Sequence, residues 1–362
     1  MVRCYMQSSS SLVNEVVVSL STKCRLVFAV AVAVLLAACG SDQAASPAES
    51  TQVDLSKVTL RVGYSTNSGK GPQAVREQSG AFEGTPYKIE WVAFTLGDLG
   101  LQSVNSGATD LQLQLQLTNA VIAQGNAKVP WTADDAPFSV IGAAQYLTKN
   151  GIEIVVHDGS GINSVADLKG KKVAFSKGSS SNYYWLLSEQ AAGLSPGDVE
   201  VAQLSVSDSR AAFAAGDVDA LVAFDYNLAT LIRAGGAKVL ASSGDSLPMY
   251  QLLAARRGLL DDPATRAAVA DFYRRLAVRD VRYASHIDAV RAIYETLDKT
   301  DPLDSAVVAE GARQQQVPLD DALVKAVQDE ADVFFAAGVI DTKVDVRILF
   351  DKTLAADVPA SP

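Results

Sequence analysis

The sequence predicts an α/β fold: two strand–helix units in tandem, followed by a helical C-terminal region. Three observations predict it. From residue 58 onward, short apolar runs of strand length alternate with amphipathic stretches of helix length. The alternation begins afresh after residue 160. Beyond residue 260 strand-length runs cease and helical spacing takes over. Strands separated by helices point to mainly parallel, doubly wound sheets.

In the first unit, VTLRVGY (58–64) is a strand, STNSGKGP a loop and QAVREQSGAF a short helix. YKIEWVAF (87–94) is the next strand, and DLGLQSVNSG has apolar residues at helical spacing. ATDLQLQLQLTNAVIAQG begins as a strand and passes into a helix, and FSVIGAAQY and IEIVVHD are strands. The strict alternation of LQLQLQL puts Leu111, Leu113, Leu115 and Leu117 on one face and Gln112, Gln114 and Gln116 on the other.

The second unit opens with NSVADLKGKKVAF, a short helix and a strand. A helix after the serines ends near Gly193, and VEVAQLS, VDALVAF and AKVLASS are strands separated by the helices DSRAAFAAGD and YNLATLIRAGG. From residue 260 the chain reads as successive helices, with a last helix-like stretch past Asp345. YQLLA (250–254) is one more apolar run after the second unit. If it returns to the first sheet, the chain crosses between lobes twice, near 148–152 and 244–250, which makes a hinged cleft.

The expected organisation is therefore a first lobe from 57–150 and 247–350, a second lobe from 151–246 and a tail at 351–362. Residues 1–56 precede it. LVFAVAVAVLL (26–36) is an apolar run of signal-peptide length, preceded by Lys23 and Arg25 and followed by Ala37-Ala38-Cys39. Leu36 to Cys39 resembles a bacterial lipobox, so 1–39 reads as a leader whose Cys39 receives lipid. SDQAASPAES continues into a small, polar tether over 40–56. Cys4 and Cys24 leave with the leader, so no disulfide framework and no thiol metal site is expected.

The formal charge is −10, and loss of three basic and one acidic residue with the leader takes it to about −12. No basic cluster lies beyond the leader, which argues against nucleic acid or anionic lipid as a surface partner. His157 and His286 are the only histidines and have no metal-ligand spacing, so a histidine triad and metal hydrolysis are poorly supported. Gly69-Lys70-Gly71 lacks the spacing of a nucleotide P-loop. No nucleophile–base–orienter set emerges, so no catalysis and no cofactor is expected.

The candidate binding residues sit at carboxyl ends of strands, where open sheets place ligands. In KKVAFSKGSSSNYYW, Gly178 turns the chain and Ser179, Ser180 and Ser181 open a helix. Either they only cap it, or its unpaired amides face an anion. Tyr183 can look into a cleft while Trp185 packs. Ser65 and Asn67 follow the first strand, as cleft lining or as plain turn residues. Gln116 is costly if buried without a partner, and Thr118 and Asn119 open the next helix. Asp225 either caps a helix or meets an amine or hydroxyl.

SVADLKGKKVAFSKGSSSNYYW, GDVDALVAFDYN and ADVFFAAGVIDTKVDVR resemble the substrate-binding proteins of ABC importers in the nitrate, sulfonate and taurine group, above all the aliphatic-sulfonate members. The resemblance covers about residues 57–350. It implies a two-lobed type II periplasmic-binding-protein fold that is not an enzyme. It also implies a small anionic or zwitterionic solute, an ABC permease subunit as partner, and a monomer. Ser179 and Ser180 match the helix-start serines that hold the anionic headgroup, and Tyr183 matches an aromatic or histidine-rich position just beyond. Asp225 matches the aspartate of a Trp-Asp-Pro segment, with Phe224 and Tyr226 in place of its neighbours.

With Cys39 lipidated, the protein is expected on the extracytoplasmic face of the membrane. The alternatives are another solute in the same scaffold (nitrate, taurine, a sulfate ester or a pyrimidine precursor), a fold-related enzyme, or a lipid-anchored sensor.

Overall fold

The computed structural model describes residues 53–65, 71–95, 97–147, 151–244 and 247–356, without the side chains at 71, 72, 225 and 226. The expected leader, Cys39 and residues 40–52 of the expected tether lie outside the described residues, as does Asn67.

The first sheet has six strands in the order β11-β4-β10-β3-β1-β2. They are β1 (Thr59–Ser65), β2 (Lys88–Phe94), β3 (Leu111–Gln116), β4 (Phe138–Tyr146), β10 (Tyr250–Arg256) and β11 (Gln314–Val317). The second sheet has five, in the order β7-β6-β8-β5-β9. These are β5 (Ile152–His157), β6 (Lys172–Phe175), β7 (Glu200–Gln203), β8 (Ala220–Phe224) and β9 (Ala237–Ser242). The chain completes β4, builds the whole second sheet, and returns as β10 into the middle of the first.

Both sheets are mixed, which corrects the expectation of mainly parallel ones. β1 runs parallel to β2 and β3, and β6 parallel to β7 and β8. β10 is antiparallel to β3 and β4, and β5 antiparallel to β8 and β9. A strand that has just crossed between sheets is free of the βαβ connection that enforces parallel pairing. The two crossings lie side by side. Tyr146 N–H donates to Met249 O at 2.9 Å, and Ile152 N–H to Ser243 Oγ at 3.0 Å. Gly151 allows this approach: its φ is +65°, and a Cβ there would lie 2.6 Å from Ser243 Oγ.

The helices are α1 (Gly71–Gln78), α2 (Gly97–Asn105), α3 (Leu117–Gly125), α4 (Ser180–Ala191), α5 (Val206–Ala215) and α6 (Asp225–Arg233). The C-terminal set is α7 (Pro263–Ser285), α8 (Ile287–Leu297), α9 (Pro302–Gly311) and α10 (Asp321–Ala336). Their ends carry ordinary caps: Asp262, Asp301 and Asp320 each accept an amide of the following first turn, with Pro at the start of α7 and α9. His286 sits at the α7–α8 junction, and His157 stacks on Phe213 with its Nε2 3.2 Å from Val218 O. The expected helical C-terminal region is present, with two differences of detail. β11 interrupts the helical run, pairing with the edge of β4, and the stretch past Asp345 is two short 3-10 turns, Val346–Leu349 and Thr353–Ala356.

The leucine row of β3 also breaks. Leu111 and Leu113 pack with the α7 side of the sheet, Leu115 and Leu117 with the α3 and α10 side. A bulge causes it: β10 pairs Leu252 with Leu115 but Ala254 with Gln112, so one β10 residue faces two of β3. Gln114 takes up the extra residue with a φ of +57°. Upstream of the bulge, Gln112 is fully buried, in space left by Gly63 and Gly100, where a Cβ would overlap its amide. Its Nε2 donates to Leu113 O at 2.8 Å. A long polar side chain thus fills a gap made by two glycines inside the first lobe.

Candidate functional site

A cavity of about 230 Å³ lies between the two sheets. The first lobe contributes Gln116 and Leu117 where β3 passes into α3, and Asp329 and Glu330 from α10. The second contributes Ser180 and Tyr183 from α4 and Phe224 at the end of β8. Tyr146, Met249 and Tyr250 close it along the crossings. Its walls are largely apolar and aromatic with a few polar groups, the usual make-up of a small-molecule site.

The serine wall is built locally. Gly178 holds a φ of +64°, and a Cβ on it would overlap Ile122 of α3, so the turn of one lobe sits directly on a helix of the other. Ser179 is the N-cap: its Oγ accepts Asn182 N–H at 3.3 Å and donates to Ser176 O at 2.6 Å. Asn182 Oδ1 reaches back to accept Gly178 N–H at 3.0 Å. That closes the turn and leaves the Ser180 and Ser181 amides without an acceptor among the described residues. Ser180 is on the cavity wall; Ser181 is buried beside it and not on the wall.

Tyr183 spans the lobes. It packs edge-on against Phe334 of α10, with ring centroids 6.0 Å apart, and belongs to the apolar core of the first lobe. Burial, aided by the nearby Glu330 and Asp329 carboxylates, pushes its phenol up to about 12. Trp185, two residues on, is buried in the second lobe against Phe175. Tyr183 and Trp185 thus serve opposite faces of α4.

Glu330 is the least expected wall residue. It is 4% exposed, its Oε1 has no hydrogen-bond partner among the described residues, and burial alone raises its carboxyl to about 8. At neutral pH it is mostly a protonated donor. No lysine, arginine or histidine is found among the described lining residues. The cavity therefore has amide dipoles at one wall and carboxyls at another, with no full positive charge among its described lining residues.

Of the sequence-derived candidates, the structure brings Gln116, Ser180 and Tyr183 together on this wall. Ser179 stands one residue away as the cap. Ser65 ends β1 and is buried. Thr118 is fully buried in the first turn of α3 with its Oγ1 unpaired among the described residues, and Asn119 faces Gly97 of α2. None of Ser65, Thr118 and Asn119 is on the described wall. Asp225 opens α6 next to wall residue Phe224, but its side chain lies outside the description.

Sequence reasoning missed Asp329, Glu330 and the tyrosines of the crossings. One signal was present: Leu323, Val327, Glu330, Ala331 and Phe334 form the buried stripe of α10, so a glutamate stands at a core position of an amphipathic helix.

This architecture is that of a two-lobed α/β binding protein, and comparison with known proteins agrees. Residues 104–260 match the family described as NMT1/THI5 like. The chain is 28% identical over 335 residues to a Bacillus subtilis protein named for aliphatic sulfonate binding, covering 91% of this chain and 94% of that one. The crystal structure of the periplasmic aliphatic sulphonate binding protein SsuA from Escherichia coli superposes with a TM-score of 0.67. Identity to it is 26%, over 80% of this chain and 91% of that one. The alkanesulfonate-binding protein SsuA from Xanthomonas axonopodis pv. citri, bound to MOPS, gives 0.66 at 27% identity, over 81% and 98%. The desulfurization enzyme DSZB shares the fold at 14% identity and a TM-score of 0.60, over 83% and 98%, so the fold by itself does not separate binding from catalysis.

Proposed function

We propose that this protein is the solute-binding component of an ABC importer, that it captures a small organosulfonate between its lobes, and that it hands the solute to a membrane permease. The observation that carries this is the α4 start: a capped turn whose next two amides lack acceptors, with Ser180 on the wall of an inter-lobe cavity. A sulfonate has three oxygens to accept those amides and the Ser180 hydroxyl, and the aromatic walls suit its carbon chain. Asp329 and Glu330 favour a sulfonate that also carries an amine or hydroxyl over a plain alkyl one. Lobes formed by 57–150 with 247–350, and by 151–246, close on the solute and reopen at the permease.

Small sulfonates, at a hundredfold excess over their Kd, are expected to raise the melting temperature by about 5 °C, since they bind only the folded state. A scan of sulfonates, sulfate esters, nitrate, taurine and bicarbonate that moves it nowhere removes the proposal.

The lipobox resemblance supports attachment through Cys39 to the extracytoplasmic face of a membrane. Expressed in a bacterial host fed labelled palmitate, the full chain is expected to take up the label, and Cys39→Ala is expected to take up none. Equal labelling of the two, or none in either, overturns the anchor and leaves solute capture untouched.

A further inference from the structure

A second, smaller cavity lies inside the first lobe, between the sheet and α7, with a volume of about 40 Å³. Its wall mixes apolar side chains with several charged and amide ones. Arg76 of α1 reaches it at 4% exposure, with its guanidinium carbon 4.3 Å from the Tyr64 ring centroid and 4.5 Å from that of Trp91. The rings hold the cation by their faces and accept none of its in-plane N–H groups. Among the described residues Arg76 has no carboxylate within ion-pair distance, and its side chain donates no hydrogen bond. Glu77, the next residue, is exposed and accepts from Gln73.

Across the cavity, the partly buried Arg279 pairs with the buried Asp280 at 2.6 Å. Gln314 Nε2 donates to the same Asp280 oxygen at 3.1 Å. Arg279 Nε and Asp280 Oδ2 have no hydrogen-bond partner among the described residues. The wall thus holds two guanidiniums and one carboxylate, an excess of one positive charge. Burial, with Arg279 next in effect, lowers Arg76 to about 9, which leaves it protonated at neutral pH. Gln114 lines this cavity too. Plain alternation would have sent it to the Gln112 face; the bulge turns it here.

A buried cation excess is costly unless a counter-charge meets it. The volume is larger than the roughly 10–15 Å³ one water needs, and far too small for an organosulfonate. We propose that this cavity is a binding site for one chloride-sized monovalent inorganic anion, held between Arg76 and Arg279 and tying α1 to α7. It is separate from the inter-lobe cavity and does not rest on what that cavity binds.

The test is thermal unfolding of the purified protein in sodium chloride against sodium gluconate at constant ionic strength, gluconate being too large to enter. The melting temperature is expected to rise by about 3 °C for each tenfold increase in chloride above its Kd. Arg76→Met, which keeps the length and removes the charge, is expected to abolish the dependence. Because that variant could fail to fold, bromide-soaked crystals of the unaltered protein provide the second measurement, with an anomalous peak expected beside the Arg76 guanidinium. Identical unfolding in the two salts, a chloride dependence that survives in Arg76→Met, or water alone at that position would each overturn the proposal.

Discussion

Raising the pH from 5 to 9 is expected to cost the protein on the order of 4 kcal/mol of stability at a single side chain, Glu330. In the unfolded chain that carboxyl ionises near its model value of 4.5, whereas burial in the fold holds it protonated up to about 8. Between these values the unfolded state releases a proton that the folded state keeps. Each pH unit in the window therefore shifts the balance toward unfolding, and the loss levels off once the folded-state group ionises as well. Glu330→Gln has nearly the same shape and no proton to lose. Urea unfolding at pH 5, 7 and 9 should show the variant matching the parent at pH 5 and exceeding it by the full amount at pH 9. Parallel curves for the two proteins would show that Glu330 is solvated or paired in the folded chain.

The same carboxyl sets how the inter-lobe cavity treats an anion. Below about pH 8 it is neutral and can donate; above it, a negative charge stands in a cavity whose described wall has no basic side chain. Sulfonate affinity in the parent is expected to fall as pH passes 8 and to stay level in Glu330→Gln.

The α4 wall was legible because its cause is local. A strand, a glycine, a run of serines and an asparagine three residues after the cap already contain the turn, the N-cap and the Asn182 return bond. The opposing wall comes from α10, about 150 residues later, and only tertiary packing brings Glu330 to face Ser180. Even so, a glutamate within an apolar stripe was a visible anomaly.

The β3 bulge had no such sign. LQLQLQL alternates without a fault, and what breaks it is the demand of two cores for leucines on both sides of one strand, met by a left-handed Gln114. β11 was invisible for a related reason. Gln314, Gln315 and Gln316 carry no apolar period, and they form a strand because β4 offers them an edge. Strand direction is likewise a property of the crossings, which apolar runs do not encode.

Ser180→Pro is expected to weaken sulfonate binding by about 10- to 100-fold while leaving the melting temperature of the ligand-free protein within about 2 °C of the parent. Ser180 is the first residue of α4, where proline's fixed φ is compatible with the helix and its missing N–H breaks no intrahelical bond. The preceding residue, Ser179, already has the extended backbone that proline requires of its neighbour, at φ −103° and ψ 169°. The substitution therefore deletes one amide and one hydroxyl from the wall and little else. A hydrogen bond to a charged group is worth about 1.5–3 kcal/mol, which gives that range of affinity. Ser180→Ala removes the hydroxyl alone and is expected to cost less, roughly threefold to tenfold. The order matters more than either value. If the amide carries the headgroup, Pro is worse than Ala; if the hydroxyl carries it, the two are equal. Titration calorimetry with one sulfonate on all three proteins reads this directly. Parent-like affinity in Ser180→Pro would mean that the headgroup lies elsewhere in the cleft and that the α4 start is only a helix cap.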